Sequence, residues 1–531
     1  MNGMPAIPLR RALTLFVALA AVLTVLAACT SSKATSTTGS TGGGAAGGTS
    51  STAGVGSVKW QSCNIGGLLG AGLKCASLSV PLNYSDPDGR KITLALSEVP
   101  ATAPASQRLG DLLVNPGGPG ASGRSLAASV AQGLSSDVAD RYNIIGFDPR
   151  GVGSSVPALS CDPSFFSGVR ANYVPANAAA EQALENRAKA YAADCEKKFG
   201  WLLPYMTTRD TARDMDSIRS ALGQPKISYY AFSYGTYIGQ VYATMFPSRV
   251  KRMVLDSTVD PSGVWYTDNI EQDYAFQGRQ EAFFAWMAKY DSTYGLGTTA
   301  AQVQTAYNTA RARLAAHPIN GSNGKPLIGG DELDDTFLLG GYDDELWPGL
   351  AQALSSYLLQ GQTSDMISQY QENGAQDENE FAVYNAVQCS DVNWPRNWSK
   401  WDSDTRKVYA TAPFQAWDNA WYNAACAYWP VKGPSQPMKI GAPGLPGILM
   451  LQGTLDPATP YAGAQVAHSD LPTARMVVVE GGGNHGQSLE SPANNCVQNY
   501  LNNYLASGAL PSGTGQVNAT CPAVAPPNPA S

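Results

Sequence analysis

The sequence predicts an α/β fold in which a mostly parallel sheet is flanked by helices and interrupted late by a mainly helical segment. Three observations predict it. Short apolar runs rich in β-branched and aromatic residues, at 111–114, 142–147, 227–232, 253–255, 448–451 and 476–479, alternate with helix-like stretches, as a parallel sheet with crossover connections requires. Between Asp260 and Pro446 that alternation stops, and stretches such as 280–288 and 301–315 are helix-like in composition over a length no simple crossover needs. The chain of 531 residues is 44% apolar, enough to bury a large core. It divides into a signal (1–28), a tether (29–56), a first part of the core (57–260), a helical cap (261–445) and a second part of the core (446–525).

At the amino end, Arg10 and Arg11 precede an uncharged run, 12–25, and then Leu26, Ala27, Ala28 and Cys29. A basic start, an apolar run and small residues describe a secretion signal. A cysteine directly after Leu-Ala-Ala resembles a bacterial lipobox, which implies cleavage before Cys29 and a lipid on its sulfur. Plain secretion with Cys29 incidental is the other reading, and the apolar run is short for a membrane span. The stretch 30–56 is almost all Ser, Thr, Gly and Ala and cannot bury a core, so it is expected to be a flexible tether. Of nine cysteines, setting Cys29 aside leaves Cys63, Cys75, Cys161, Cys195, Cys389, Cys426, Cys496 and Cys521, an even set that fits an oxidising compartment. Each is expected to pair with its neighbour, 63 with 75, 161 with 195, 389 with 426 and 496 with 521, because each pair falls within one stretch of the predicted fold. With no Cys-x-x-Cys and only three histidines, no metal site is expected. A net charge of −7 without a basic cluster argues against nucleic acid as a partner.

The strand 111–114 runs into Asn115-Pro-Gly-Gly-Pro-Gly120, where backbone amides can face a developing negative charge without side-chain obstruction. No Gly-Lys-Ser/Thr follows, so it is not a phosphate loop. The strand 227–232 ends at Ser233 and passes directly into helix-like sequence from Thr236, the pattern of a nucleophile elbow. Ala231 stands where the usual Gly-x-Ser-x-Gly has its first glycine and is small enough for the turn. Gly118 and the amide of Tyr234 are then the expected oxyanion donors. Of the three histidines, His317 and His468 sit in surface-like contexts. His485 follows the last predicted strand in Gly481-Gly-Gly-Asn-His-Gly486, a mobile loop able to reach across the sheet, and is expected to be the base. Asp456, after the strand 448–451, is the expected acid that orients His485; Asp256, one strand earlier, is its rival.

Taken together, the motifs at 115–123 and 146–154, the elbow, Leu255-Asp256, Asp456-Pro-Ala-Thr-Pro460 and Asn484-His485 resemble the α/β-hydrolase peptidases of the prolyl iminopeptidase and tripeptidyl aminopeptidase type. The likeness is greatest to exported bacterial tripeptidyl aminopeptidases and their lipoprotein relatives. It spans residues from about 60 to 525. It implies an α/β-hydrolase fold and a serine exopeptidase, although this fold also hosts esterases, lipases and epoxide hydrolases.

A cap of this kind decides what enters. Its tryptophans, Trp394, Trp398, Trp401, Trp417, Trp421 and Trp429, fit either a peptide subsite or an aromatic core. An aminopeptidase needs a desolvated carboxylate for the substrate's charged terminus, and Asp391 and Glu271 are the candidates. The expectation is a lipid-anchored, cofactor-independent, monomeric serine aminopeptidase acting on peptides with a free N-terminus. The alternatives are a carboxylesterase or lipase acting on envelope or environmental esters, and a non-catalytic binding lipoprotein.

Overall fold

The structure is a computed structural model that describes residues 57–65, 72–263 and 265–529. The expected signal, Cys29 and the 29–56 tether lie outside the described residues.

Twelve strands occur among the described residues: β1 (Gln61–Ser62), β2 (Lys74–Pro81), β3 (Lys91–Val99), β4 (Gly110–Asn115), β5 (Tyr142–Asp148), β6 (Ile227–Phe232), β7 (Val250–Asp256), β8 (Ile319–Asn320), β9 (Pro326–Ile328), β10 (Ile448–Gly453), β11 (Ala474–Glu480) and β12 (Ala519–Pro522). Ten of them form one sheet in the order β1-β2-β3-β5-β4-β6-β7-β10-β11-β12. The pairs β1–β2, β2–β3 and β3–β5 are antiparallel, and every pair from β5 to β12 is parallel. All six expected strands are present. The hairpin of β2 and β3 was not expected, because Ser77, Ser79, Thr93 and Ser97 interleave their apolar residues, the alternation of an edge ladder and not the unbroken run of a doubly covered strand.

Parallel strands covered on both faces must bury every side chain, and the core shows this residue by residue. Tyr229, Ala231, Met253, Leu255, Ile448 and Met450 belong to one apolar cluster. Their neighbours Tyr230, Val254, Leu449 and Leu451 belong to a second cluster on the opposite face.

Between β7 and β10 the chain is mainly helical, with long helices at Trp265–Lys289, Ala300–Ala316, Gly330–Tyr342 and Glu378–Asp391 and a small β8–β9 hairpin. This insertion packs in two different ways. A cluster whose buried members run from Phe283 to Tyr370 is a core of its own. Phe381, Val387, Trp394, Trp401 and Trp429 instead join the cluster on one face of the sheet. The indoles form a continuous stack, Trp394–Trp401–Trp398–Trp421–Trp417, with ring centroids 5.6, 5.9, 4.6 and 5.7 Å apart and planes within 21° of parallel. Apart from the partly buried Trp398 they are at most 8% exposed, so they form an aromatic core and do not line a peptide subsite.

Four disulfides join Cys63 to Cys75, Cys161 to Cys195, Cys389 to Cys426 and Cys496 to Cys521, the neighbour pairing expected. They place the folded chain in an oxidising compartment. No helix among the described residues is long and apolar enough to cross a membrane.

Candidate active site

β6 delivers Ser233 at its C-terminal end and the helix Tyr234–Met245 starts immediately after it. A turn that sharp forces Ser233 to φ 55° and ψ −134°, a conformation an L-residue adopts only where its surroundings hold it. Three contacts hold it. The Ser233 N–H donates to the Asp256 carbonyl at 3.1 Å, and the Ser233 carbonyl accepts from the Thr236 N–H at 2.8 Å and the Thr236 hydroxyl at 2.6 Å. Small residues are obligatory around it. A Cβ on Gly235 would stand 2.7 Å from Asn115 Oδ1 and 3.0 Å from the Ala231 Cβ, which leaves no room for a side chain at 235.

The glycine-rich loop after β4 lies against this elbow. A Cβ on Gly117 would be 2.8 Å from the Tyr234 nitrogen and 2.9 Å from the Ser233 Cβ, and Gly117 has φ 98°. Its own N–H is taken by Asn115 Oδ1 at 2.9 Å. Gly118, the next residue, is exposed, and Tyr234, as the first residue of its helix, has no intrahelical acceptor for its N–H. Among the described residues neither the Gly118 nor the Tyr234 N–H has a backbone acceptor.

His485 and Asp456 meet as a pair. The His485 Nδ1 lies 3.0 and 3.1 Å from the two carboxylate oxygens of Asp456. Asp456 Oδ1 also accepts from the amides of Ala458 and Thr459, both at 3.0 Å, and Oδ2 from the Thr459 hydroxyl at 3.0 Å. Burial pushes the Asp456 carboxyl up, but His485, the Ser257 hydroxyl and the Thr459 amide outweigh it and hold it below the usual carboxylate range. The other ring nitrogen, Nε2, is buried and has no hydrogen-bond partner among the described residues.

Asp256 has a different position. Its carboxylate accepts from the amides of Gln487 at 2.8 Å and Ser488 at 2.9 Å and from the Ser488 hydroxyl, and no contact joins it to His485. Burial raises it to about 7. It ties the end of β7 to the chain just beyond the histidine.

The loop Gly481–Gly486, expected to be mobile, is pinned by the insertion. The His485 N–H donates to the Tyr342 carbonyl at 2.7 Å, and the Tyr342 ring meets the imidazole edge-on at 5.4 Å. Asn484 Oδ1 accepts from Arg279 Nη2 at 3.2 Å and from the Asp344 N–H at 3.0 Å. A glycine-rich loop does not show such partners in its own sequence, because they come from residues far away along the chain.

The two carboxylates expected to bind substrate are placed otherwise. Glu271 is exposed on the helix Trp265–Lys289, so it is not a desolvated carboxylate. Asp391 is engaged on both oxygens, Oδ1 by the Thr208 N–H at 2.8 Å and Oδ2 by the Tyr234 hydroxyl at 2.6 Å. It buttresses the residue after Ser233. Glu380, which sequence reasoning passed over in the charged string Asp377-Glu-Asn-Glu380, stands instead against the glycine-rich loop: a Cβ on Gly120 would be 2.6 Å from its carbonyl oxygen.

A model of the alpha/beta hydrolase fold matches residues 112–491. The chain is 38% identical over 483 residues to a tripeptidyl aminopeptidase of Streptomyces coelicolor, covering 89% of this chain and 87% of that protein. It is 32% identical over 479 residues to the serine protease Hip1 of Mycobacterium tuberculosis, covering 86% and 89%. It is also 31% identical over 454 residues to a carboxylesterase B of the same organism, covering 82% and 85%.

Proposed function

This chain belongs to the α/β-hydrolase family, and we propose that within it the protein is a serine aminopeptidase that releases short peptides from free amino termini through an acyl-enzyme on Ser233. The observation that carries the catalytic assignment is His485, held on Asp456 through Nδ1 while its Nε2 is buried and unpartnered, in a molecule whose Ser233 is projected at a positive φ. Ser233 Oγ attacks the scissile carbonyl as its proton passes to Nε2. Asp456 stabilises the imidazolium that results and keeps the ring in the required tautomer. The oxyanion is received by the amides of Gly118 and Tyr234, a pair whose members are worth on the order of a hundredfold or more each in turnover. The C–N bond then breaks as Nε2 returns the proton to the leaving amine. Water, activated by the same nitrogen, attacks the ester carbon and frees Ser233.

Relatives named tripeptidyl aminopeptidase and serine protease favour peptide over ester as substrate. The relative named carboxylesterase B gives the ester reading its one support. The insertion supplies Tyr342, Arg279 and Asp344 around the histidine loop and acts as the cap that restricts access. The Leu-Ala-Ala-Cys29 string supports lipid attachment at Cys29 and an anchored, extracytoplasmic enzyme.

The test compares kcat/KM for a tripeptide anilide with a free amino end, the same tripeptide N-acetylated, and a long-chain ester. An aminopeptidase prefers the free amine by about a hundredfold or more, since an unpaired buried carboxylate costs ~3–5 kcal/mol. Equal cleavage of both peptides assigns an endopeptidase. Cleavage of the long-chain ester alone assigns an esterase.

A further inference from the structure

We propose that the carboxylate of Glu380 binds the protonated amino terminus of the substrate, a proposal that rests on the aminopeptidase reading above. Its position is fixed by the first turn of the helix Glu378–Asp391, which is bolted to the hydrolase core by consecutive residues. The Glu378 carboxylate accepts from the amides of Cys161 at 2.8 Å and Asp162 at 2.9 Å, from the Ser160 hydroxyl at 2.6 Å and from the Tyr191 hydroxyl at 2.8 Å. Asn379 accepts from the Gly153 N–H at 2.8 Å and donates to the carbonyls of Gly151 at 2.8 Å and Leu159 at 2.7 Å. The backbone of Glu380 rests on Gly120 so closely that no Cβ fits between them. Gly120 is three residues beyond the Gly117 that touches Ser233. Glu380 is therefore held rigidly beside the loop that receives the oxyanion.

The carboxylate itself is uncommitted. Among the described residues no hydrogen-bond donor and no cation pairs with it. Four other acids near the site are engaged: Asp456 by His485, Asp256 by the 487–488 amides, Asp391 by Thr208 and Tyr234, and Asp273 by the Asn419 amide at 2.9 Å. Asp268 Oδ2 also lacks a partner among the described residues, but Asp268 sits at the start of the helix Trp265–Lys289 and not against the glycine-rich loop. Glu380 is only partly exposed, so its charge is incompletely hydrated, and a terminal ammonium brings three N–H groups and a full positive charge to it.

What surrounds Glu380 suits a cation. Tyr342, Tyr384 and Tyr422 are each partly exposed, as Glu380, Ser233 and His485 are. Tyr342, whose ring meets His485 at 5.4 Å, feels the charges of both Asp456 and Glu380 and so stands between the histidine and Glu380. The rings of Tyr384 and Tyr422 are 5.0 Å apart, and Tyr422 packs on Phe381, the residue after Glu380, at 4.8 Å. The charge of Glu380 is felt at the hydroxyls of both Tyr342 and Tyr422. Tyrosine faces attract an ammonium, and a neutral acetamide gains nothing comparable from them. Burial, with Asp377 nearby, holds the Glu380 carboxyl up at about 7, and a cation beside it would favour its charged form.

The experiment measures kcat/KM for the free and the N-acetylated tripeptide anilide with the wild-type enzyme, Glu380→Gln and Glu380→Asp. Labelling of Ser233 by a fluorophosphonate probe reports that each variant is folded with a reactive nucleophile. Wild type should prefer the free amine by about a hundredfold or more. Glu380→Gln should bring that ratio below about tenfold by losing rate on the free peptide alone, and Glu380→Asp should keep most of it. If Glu380→Gln retains the wild-type preference, or if it loses both substrates together with probe labelling, Glu380 is not the anchor and the proposal is overturned. If the wild-type enzyme shows no preference, it is the aminopeptidase reading that fails, a result visible before any variant is compared.

Discussion

Ser233, His485 and Asp456 show how much of a candidate catalytic site can be legible when residue types are scarce. With three histidines in the chain, the choice of base was narrow, but Asp256 and Asp456 both follow strands between Ser233 and His485, and only the contact of Asp456 with His485 Nδ1 separates them. The carboxylate proposed to meet the substrate was not legible, because burial and pairing are tertiary properties. Asp391 follows Cys389 by two residues and looks anchored, yet its oxygens accept from Thr208 and Tyr234. Glu380 sits in a string that reads as a solvated face. At this scale the pair of aspartates gives a sharp comparison. Ser233→Ala should remove turnover by several orders of magnitude while the protein stays folded. Asp456→Asn should lower kcat by on the order of 10³ to 10⁴, since the amide favours the wrong tautomer of His485. Asp256→Asn should lower Tm and leave turnover per folded molecule within about tenfold, because its carboxylate holds the 487–488 backbone and not the imidazole. Kinetics and thermal melts on the three variants check the assignment, and a dead but stable Asp256→Asn would transfer the acid role to it.

Among the elements, the doubly covered strands were the easiest to find, since a strand buried on both faces is largely an apolar run, as at Ile448-Leu-Met-Leu451 within Ile448–Gly453. The β2–β3 hairpin was missed although its turn carries Pro87-Asp-Gly89, a turn signal between two alternating segments. The helical nature of the insertion was readable from composition, but its division into a part with its own core and a part fused to the sheet was not, because that depends on which face each helix presents to what. The fused part hangs on Glu378. Replacing Glu378 by alanine strands the amides of Cys161 and Asp162 and the Tyr191 hydroxyl, and hydrogen bonds to a charged acceptor are worth about 1.5–3 kcal/mol each. Denaturant unfolding should show a loss of about 3 kcal/mol or more for Glu378→Ala and a smaller loss for Glu378→Gln, which keeps an acceptor. A change within about 0.5 kcal/mol would mean that the contact does not bear on folding.

For the molecule as a whole, the many buried acids set the dependence of stability on pH. Burial raises Asp256, Asp273 and Glu380 to about 7, Asp343 to about 6 and Glu490 to about 9, whereas the same groups titrate near 4 in an unfolded chain. From about pH 4 upward the folded state therefore holds protons that the unfolded state has released, and stability falls as pH rises through 6, 7 and 9. Asp456 runs the other way, but its contribution disappears only as pH drops below the ordinary carboxylate range. Thermal melts should give a Tm that declines from mildly acidic to alkaline pH, and a Tm that climbed over that interval would contradict the burial of these groups. The separate core between Phe283 and Tyr370 carries one more consequence. A helical unit whose apolar contacts close on themselves can exchange its amide hydrogens as a block, at a free energy below that of the sheet, so deuterium uptake should divide the insertion near residue 375, with the distal half labelling first and the half that carries Glu380 keeping time with the strands beneath it.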